Sequence, residues 1–307
     1  MQLLRSLEPR AGSLRGYVAT VGAFDGIHLG HRVLIERART LARHADLTSM
    51  VLSFEPLPKE YLSRERPAAR LTTFRERWRL LERDGPQVFC VLPFNARLRA
   101  LRAEQFAGLL AGAGVRHLVV GHDFRAGYRG EADVEWFRQH GPALGLAVDV
   151  VAPVLESGLR VSSGLIRQAL ARGDLQQAGQ LLGRPYSMLG RVVRGEQLGR
   201  TLGFPTANLR LARRQAPMTG IFAVRVRGIE HGRALPGVAS MGTRPTVGGT
   251  RPLLEAHVLD FAGDLYGREI EVQFVSRLRE ERRFHTVAAM VEQMHRDAAD
   301  ARAVLAK

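Results

Sequence analysis

Periodicity changes once along this chain, at Leu182-Gly-Arg-Pro185, and no other feature limits its architecture as much. Before that point, apolar runs of strand length alternate with segments of helical spacing. Strands are predicted over 18–21, 47–54, 88–92, 115–120 and 146–151. Helices are predicted just after His31 (Val33, Leu34, Ile35, Ala38, Leu41, Ala42), over 70–84 with Thr72 or Thr73 as N-cap, and over 103–111, 133–139 and 165–171. This alternation predicts a parallel sheet covered on both faces. Past the change, short strand candidates follow at 187–194, 220–226, 235–240, 253–261 and 270–276, separated by turns rich in Gly and Pro. Helical spacing returns only near 286–305. That pattern predicts an antiparallel β-barrel with one terminal helix. At 307 residues the chain is long enough for two domains with separate cores, placed at 1–183 and 184–307.

Composition narrows the function classes. Hydrophobic residues make up 45% of the chain, which fits folded domains and excludes a disordered one. The net charge of +15 invites a nucleic-acid reading. Against it, only Lys59 and Lys307 are lysines, and the arginines are scattered rather than gathered into an arm or a helix. No nucleic-acid partner is therefore expected, and part of the charge is free to attract anionic nucleotides. The single cysteine, Cys90, lies in the apolar run Val-Phe-Cys-Val-Leu and reads as a buried core thiol. The opening residues carry charge where a signal peptide needs an apolar core, and no apolar run reaches about 18 residues. A cytoplasmic protein with no membrane partner is expected. Oligomeric state is not legible.

The stretch V-A-T-V-G-A-F-D-G-I-H-L-G-H-R-V-L-I, from Val18 to Ile35, joins a strand to a helix through a turn containing Gly22, Gly26 and Gly30. Glycines let a backbone approach a phosphate, and the first N–H groups and dipole of a helix favour an anion. His28 and His31 at the helix start suit nucleotide phosphates. On spacing alone the stretch is equally an ordinary strand-to-helix connection. His28-x-x-His31 also matches half of a metal site, although no convincing set of Cys, Asp or Glu ligands stands beside it, or either histidine is a solvated loop residue. Neither a Walker loop nor a dinucleotide fingerprint is present.

Three further clusters carry chemistry. Val161-Ser-Ser-Gly-Leu-Ile-Arg167 puts two hydroxyls at a helix start and an arginine one turn in. It reads either as a serine N-cap with a solvated arginine, or as a clamp in which Ser162 or Ser163 and Arg167 hold phosphates. The glycine-rich run Gly195-Glu-Gln-Leu-Gly-Arg-Thr-Leu-Gly-Phe-Pro-Thr-Ala-Asn208 carries Thr206 and Asn208 two apart, which point the same way if the segment is extended. They form either a small polar turn or a pair of oxygen donors for Mg²⁺. Glu255, alternating with Leu254 and Ala256, is either a surface carboxylate or a base for an attacking hydroxyl.

Resemblance adds to this reading. Gly22-Ala-Phe-Asp-Gly-Ile-His-Leu-Gly-His31 resembles the G-x-F-D-G-x-H-x-G-H signature of nucleotidylyltransferases. Gly121-His-Asp-Phe-Arg-Ala-Gly127, Phe54-Glu-Pro-Leu-Pro58 and 161–167 resemble further motifs of those enzymes, with Ala126 in place of an aromatic, Leu57 in place of a histidine and Gly164 in place of a third hydroxyl. Gly203-Phe-Pro-Thr-Ala-Asn208, Gly220-Ile-Phe-Ala-Val224, Gly237-Val-Ala-Ser-Met-Gly-Thr-Arg-Pro-Thr246 and the stretch from Leu254 to Gly267 are similar, in that order, to the riboflavin kinase domain, with Ser240 where an asparagine is common. The chain from about 17 to 302 thus resembles the bacterial bifunctional riboflavin kinase/FAD synthetase family.

The resemblance implies a Rossmann-like α/β nucleotidylyltransferase domain and a C-terminal kinase barrel. Its substrates would be riboflavin, FMN and ATP with Mg²⁺, the flavin being substrate and product. In the first domain it carries His28, His31 and Arg167 over as catalytic. Gly22, Phe24, Asp25, Gly26, Gly30, Asp123, Arg125, Ser162 and Ser163 become nucleotide-binding residues. In the second it implies Gly203, Pro205, Thr206 and Asn208 for the nucleotide, with Thr206 and Asn208 also serving the metal, and Glu255 as base. The alternatives are a riboflavin kinase with a weak or inactive adenylylating domain, or a flavin- or nucleotide-binding regulator without turnover.

Overall fold

The structure is a computed structural model that describes residues 1–7, 16–63, 68–195, 199, 202–246 and 249–306. Of the glycine-rich run 195–208, positions 196–198 and 200–201 lie outside the described residues. The chain divides into two compact units, Met1–Ala68 with Arg77–Val161, and Ala69–Glu76 with Ser162–Lys307.

The first unit is built on a six-stranded sheet in the order β1-β4-β3-β2-β5-β6. Its strands are β1 Gln2–Leu4, β2 Tyr17–Val21, β3 Thr48–Glu55, β4 Val88–Pro93, β5 Val115–Gly121 and β6 Ala147–Val151. All pairings are parallel, as the helical crossovers require. The continuous apolar runs exist because both faces are covered. On one face Val21, Leu52, Cys90 and Val120 share a core with Phe106 of α5 (Ala103–Gly112) and Phe137 of α6 (Val134–His140). On the other, Val18 and Val119 pack against Ala38 and Ala42 of α1 (Leu29–His44).

From the central β2 the chain runs outward through α1 to β3, and through α2 (Pro58–Leu62) and α3 (Phe74–Asp84) to β4. After α4 (Ala96–Arg99) and α5 it returns to the other side of β2 as β5, then β6. Ligands in such sheets bind beyond the carboxyl ends of the strands, where this order reverses. A small hairpin, β7 Leu155–Glu156 with β8 Leu159–Arg160, ends the unit.

The second unit holds α7 (Ser163–Arg172), α8 (Leu175–Leu182), a closed barrel and α9 (Val287–Leu305). The barrel order is β10-β13-β12-β11-β14-β9, closed by β9 against β10, and every pairing is antiparallel. The strands are β9 Ser187–Val193, β10 Ala207–Arg210, β11 Gly220–Glu230, β12 Arg233–Thr246, β13 Gly249–Val258 and β14 Glu269–Arg279. Their inward residues fill the barrel, with Phe222 and Phe274 packed edge-on at 5.3 Å. Helix α9 covers part of the outer face, where Ala298, Ala301 and Leu305 meet Phe204, Ala223 and Leu259.

Several boundaries differ from the sequence expectation for identifiable reasons. Helix α1 begins at Leu29, not after His31, because His28 caps it. Helix α3 begins at Phe74, since Thr73 and Glu76 form a reciprocal cap, each side chain reaching the other's backbone N–H. Pro58 stands in the first turn of α2, where a missing N–H costs nothing, so the proline-rich loop after β3 contains a helix. Strand β10, unpredicted, is half-buried polar on one side and depends on its neighbours for definition.

Candidate active sites

In the first unit, the turn between β2 and α1 has one strained shape. Phe24 and Ile27 have φ of 49° and 42°, the left-handed region that is unfavourable without glycine, and Gly26 has 92°. Both side chains are fully buried and Asp25 is nearly so, which holds the strain in place. The Nδ1 of His28 accepts from the His31 N–H at 3.4 Å. The two imidazoles stack with 3.6 Å between centroids, and Phe24 lies 4.9 Å from the His31 ring. A Cβ on Gly30 would come within 3.3 Å of the His28 ring, so glycine leaves the cap its room. The pair therefore stands at the positive end of a 16-residue helix with no acidic residue in its first turn.

Beyond the carboxyl ends of β2, β3, β4 and β5 opens a cavity of about 500 Å³, whose lining includes Gly22, Phe54, Phe94, Phe106, Phe124 and Arg125. Its aromatic walls suit a flat ring system. Arg125 donates to the Gly130 carbonyl at 2.9 Å. Asp123 pairs with Arg160 of β8. Burial would raise the Asp123 carboxyl, but the hydrogen bond and charge of Arg160 outweigh it and hold the group below the usual carboxylate range. Leu57 is buried, and Ala126 also lines the cavity while exchanging backbone hydrogen bonds with Ala132.

Ser162, Ser163 and Arg167 belong to the second unit, on α7. Ser162 is the N-cap, accepting from the Leu165 N–H at 3.2 Å, and Ser163 opens the helix. Arg167 is not a solvated side chain: it is half-buried, and its Nε donates to the Ala69 carbonyl at 2.6 Å.

The barrel brings its own residues together through strand register. Asn208 on β10 lies directly opposite Glu255 on β13, which in turn lies opposite Ser240 on β12. Opposed residues share a face of the sheet, so the amide and the carboxylate are neighbours, while Ala207, Leu254 and Ala256 point into the core. Thr206 and Asn208 line a cavity of about 650 Å³ together with Arg194, Pro205, Asp264 and Tyr266. Gly203, at φ 81°, turns the chain into this segment, and the Pro205 carbonyl lies 2.8 Å from His257 Nδ1. A Cβ on Gly195 would come within 2.5 Å of the Asn208 amide, so this glycine is the space in which that amide sits. The guanidinium of Arg194 lies over the Tyr266 ring at 5.6 Å.

The donor set here fits magnesium carried by a nucleotide. Thr206 and Asn208 offer neutral oxygens and Asp264 a carboxylate in the cavity lining, whereas Glu255 is not among the lining residues and is placed only by its register opposite Asn208; Mg²⁺ takes few protein ligands beside substrate phosphates. Among the described residues no group of three or more His, Cys, Asp or Glu could hold a metal by itself. Sequence reasoning did not single out Arg194, Asp264 or Tyr266, although Asp264 and Tyr266 lie within the stretch from Leu254 to Gly267 and Arg194 immediately precedes Gly195: each is a common surface residue type until the fold gathers it at the cavity. It also missed Arg77, a fully buried arginine behind the β2–α1 turn. Its signal was present: Arg77 falls on the apolar stripe formed by Phe74, Trp78 and Leu81.

Two family models match the chain in tandem, FAD synthetase over residues 11–165 and Riboflavin kinase over 182–305. A protein of Pseudomonas fluorescens named bifunctional riboflavin kinase/FMN adenylyltransferase is 44% identical, covering 100% of this chain and 98% of that protein. The protein of that name from Escherichia coli K12 is 41% identical over 98% of this chain and 97% of its own length. A solved structure titled as a macrolide-efflux protein from Streptococcus pneumoniae superimposes with a TM-score of 0.84 at 30% identity, covering 98% of this chain and 99% of that one. With both models matched in order and relatives aligned along its whole length, the chain belongs to the bifunctional riboflavin kinase/FMN adenylyltransferase family.

Proposed function

We propose that the chain makes FAD from riboflavin in two ATP-dependent steps, one in each of two domains spanning 1–183 and 184–307. The observation that carries this reading is the tandem match of the two family models, each over residues that line a cavity of their own.

In the barrel, the riboflavin 5′-hydroxyl attacks the γ-phosphorus of ATP, giving FMN and ADP. Glu255 takes the hydroxyl proton, and its place beside Asn208 puts it within reach of the phosphates that Thr206 and Asn208 hold. Gly203 and Pro205 shape the nucleotide contact. Thr206 and Asn208 would hold magnesium, which when bound neutralises charge on the transferring phosphoryl group. In the α/β domain, an FMN phosphate oxygen attacks the α-phosphorus of a second ATP and pyrophosphate leaves. His28, His31 and Arg167 stabilise the charge that gathers on the phosphates. Gly22, Phe24, Asp25, Gly26, Gly30, Ser162 and Ser163 cradle them, and Asp123 and Arg125 border the aromatic cavity, which takes the flavin ring. The protein works on small molecules in the cytoplasm, without a nucleic-acid or membrane partner. Among the described residues no helix is long and apolar enough to cross a membrane.

Two variants test the assignment. Glu255→Gln should abolish FMN formation from riboflavin while FAD formation from supplied FMN continues, as chromatography of the flavins would report. Unchanged riboflavin phosphorylation would remove Glu255 from its role. The double variant His28→Ala with His31→Ala should show the reverse pattern, and loss of both activities together would argue against separate sites.

A further inference from the structure

Arg77 is the largest fully buried side chain of the first unit, and its guanidinium is spent on the turn that carries the histidines. Its Nη1 donates to the Ala23 carbonyl at 3.1 Å and to Ser53 Oγ at 2.8 Å. The Ser53 hydroxyl in turn donates to the same Ala23 carbonyl at 3.1 Å. Both Nη atoms reach the Phe54 carbonyl at 3.4 Å, and Nη2 pairs with Glu55. Burying a guanidinium carries a large desolvation cost, and an apolar residue would fill the space without it. The contacts show what the cation does that an apolar residue would not. The Ala23 carbonyl receives two donors, and the residue after it, Phe24, has the positive φ of 49°.

Peptide planarity converts this into a functional constraint. Across the trans Ala23–Phe24 bond, C=O and N–H point in opposite directions. With the carbonyl drawn toward Ser53 and Arg77, the Phe24 N–H faces away from them. The same fixation sets the direction in which Asp25, Gly26 and the His28 cap leave the strand. The N–H of Gly22, just ahead, is held by the Leu52 carbonyl at 3.1 Å, so both ends of the Gly22–Phe24 segment are tied to β3.

We infer that Arg77 is a positioning residue for adenylyl transfer. Acting through Ser53 and the Ala23 carbonyl, it holds the β2–α1 turn in the single shape that presents backbone N–H groups and the two imidazoles to nucleoside triphosphate phosphates. This rests on assigning that turn to FMN adenylylation.

The test uses Arg77→Met, Arg77→Lys and Ser53→Ala in the full chain, with riboflavin phosphorylation of the same preparations as internal reference. Arg77→Met should lower kcat for FAD formation from FMN on the order of 100-fold, the effect of small misplacement in a positioned site. The KM for FMN should stay at the wild-type value and riboflavin phosphorylation should be unaffected. Arg77→Lys, which keeps the charge but loses the planar fork, should recover part of the rate. Ser53→Ala should lower kcat about tenfold, as loss of one hydrogen bond would, at temperatures well below a Tm lowered by only a few degrees. Wild-type kcat in both Ser53→Ala and Arg77→Lys, or a loss in Arg77→Met that vanishes below its unfolding transition, would overturn the inference. Should Arg77→Met fail to fold, the other two variants decide. Full FAD formation by the paired histidine variant would instead overturn the assignment of the turn. An inactive histidine variant alongside fully active Ser53→Ala and Arg77→Lys would overturn only the role of Arg77.

Discussion

Single side chains in this protein are defined by how completely their surroundings commit them. Cys90 has no exposed surface, and burial pushes its thiol up to about 12. Since the thiolate is the reactive form, the native chain should resist a thiol reagent at pH 8 and release one reactive group in guanidinium, as absorbance titration would show. Asp123 is shifted the other way. Its folded carboxyl titrates below the unfolded value of about 3.9, so its pairing with Arg160 contributes stability at neutral pH that is lost as the pH falls through the folded value. Both side chains are about half exposed, so the contribution is small and screened by salt. The Tm gap between wild type and Arg160→Gln should therefore narrow as the pH drops from 7 to below 4, and also in high salt.

At the scale of elements, buried ion pairs fasten segments that apolar packing alone would leave loosely defined. Glu76 caps α3 at Thr73, accepts from the Leu189 N–H at 2.7 Å and takes a two-pronged contact from the fully buried Arg213. Arg213 also reaches the Tyr186 hydroxyl, at 2.8 Å. Removing one partner strands the other charge, so Glu76→Gln should cost about 3 kcal/mol or more, read from the denaturant midpoint. Replacing both, Glu76→Leu with Arg213→Met, should cost less than the sum of the single changes. Helix α9 uses a second such pair. Asp297 receives Nε and Nη2 of Arg279 at 2.9 and 2.7 Å, plus the Gln293 amide at 2.8 Å. Cation–π contacts then set Phe284 against Arg279 and Arg282, at 5.8 and 4.7 Å.

For the whole molecule, FMN as the product of one proposed step and the substrate of the other gives a kinetic expectation. With riboflavin and Mg-ATP, FMN should form first and FAD should follow after a lag that supplied FMN abolishes, as a time course of the flavins would show. The parallel sheet, the barrel and most elements were legible because hydrophobic periodicity follows directly from which faces are buried. The glycine turn, the P-T-A-N run and Glu255 were legible as residue types. What strings of residues could not supply was which side chains meet. Nothing local marks Glu255 as the neighbour of Asn208, since a register set by the closed barrel makes that pairing. Nor does spacing reveal that His28 caps α1 while stacking on His31, or that Arg77 holds the Ala23 carbonyl from 54 residues away. Sequence by itself determined the period of each segment and the chemistry it carries, because both depend on near neighbours. Only tertiary structure decided which charges and carbonyls are buried together, because burial depends on contacts between residues far apart along the chain.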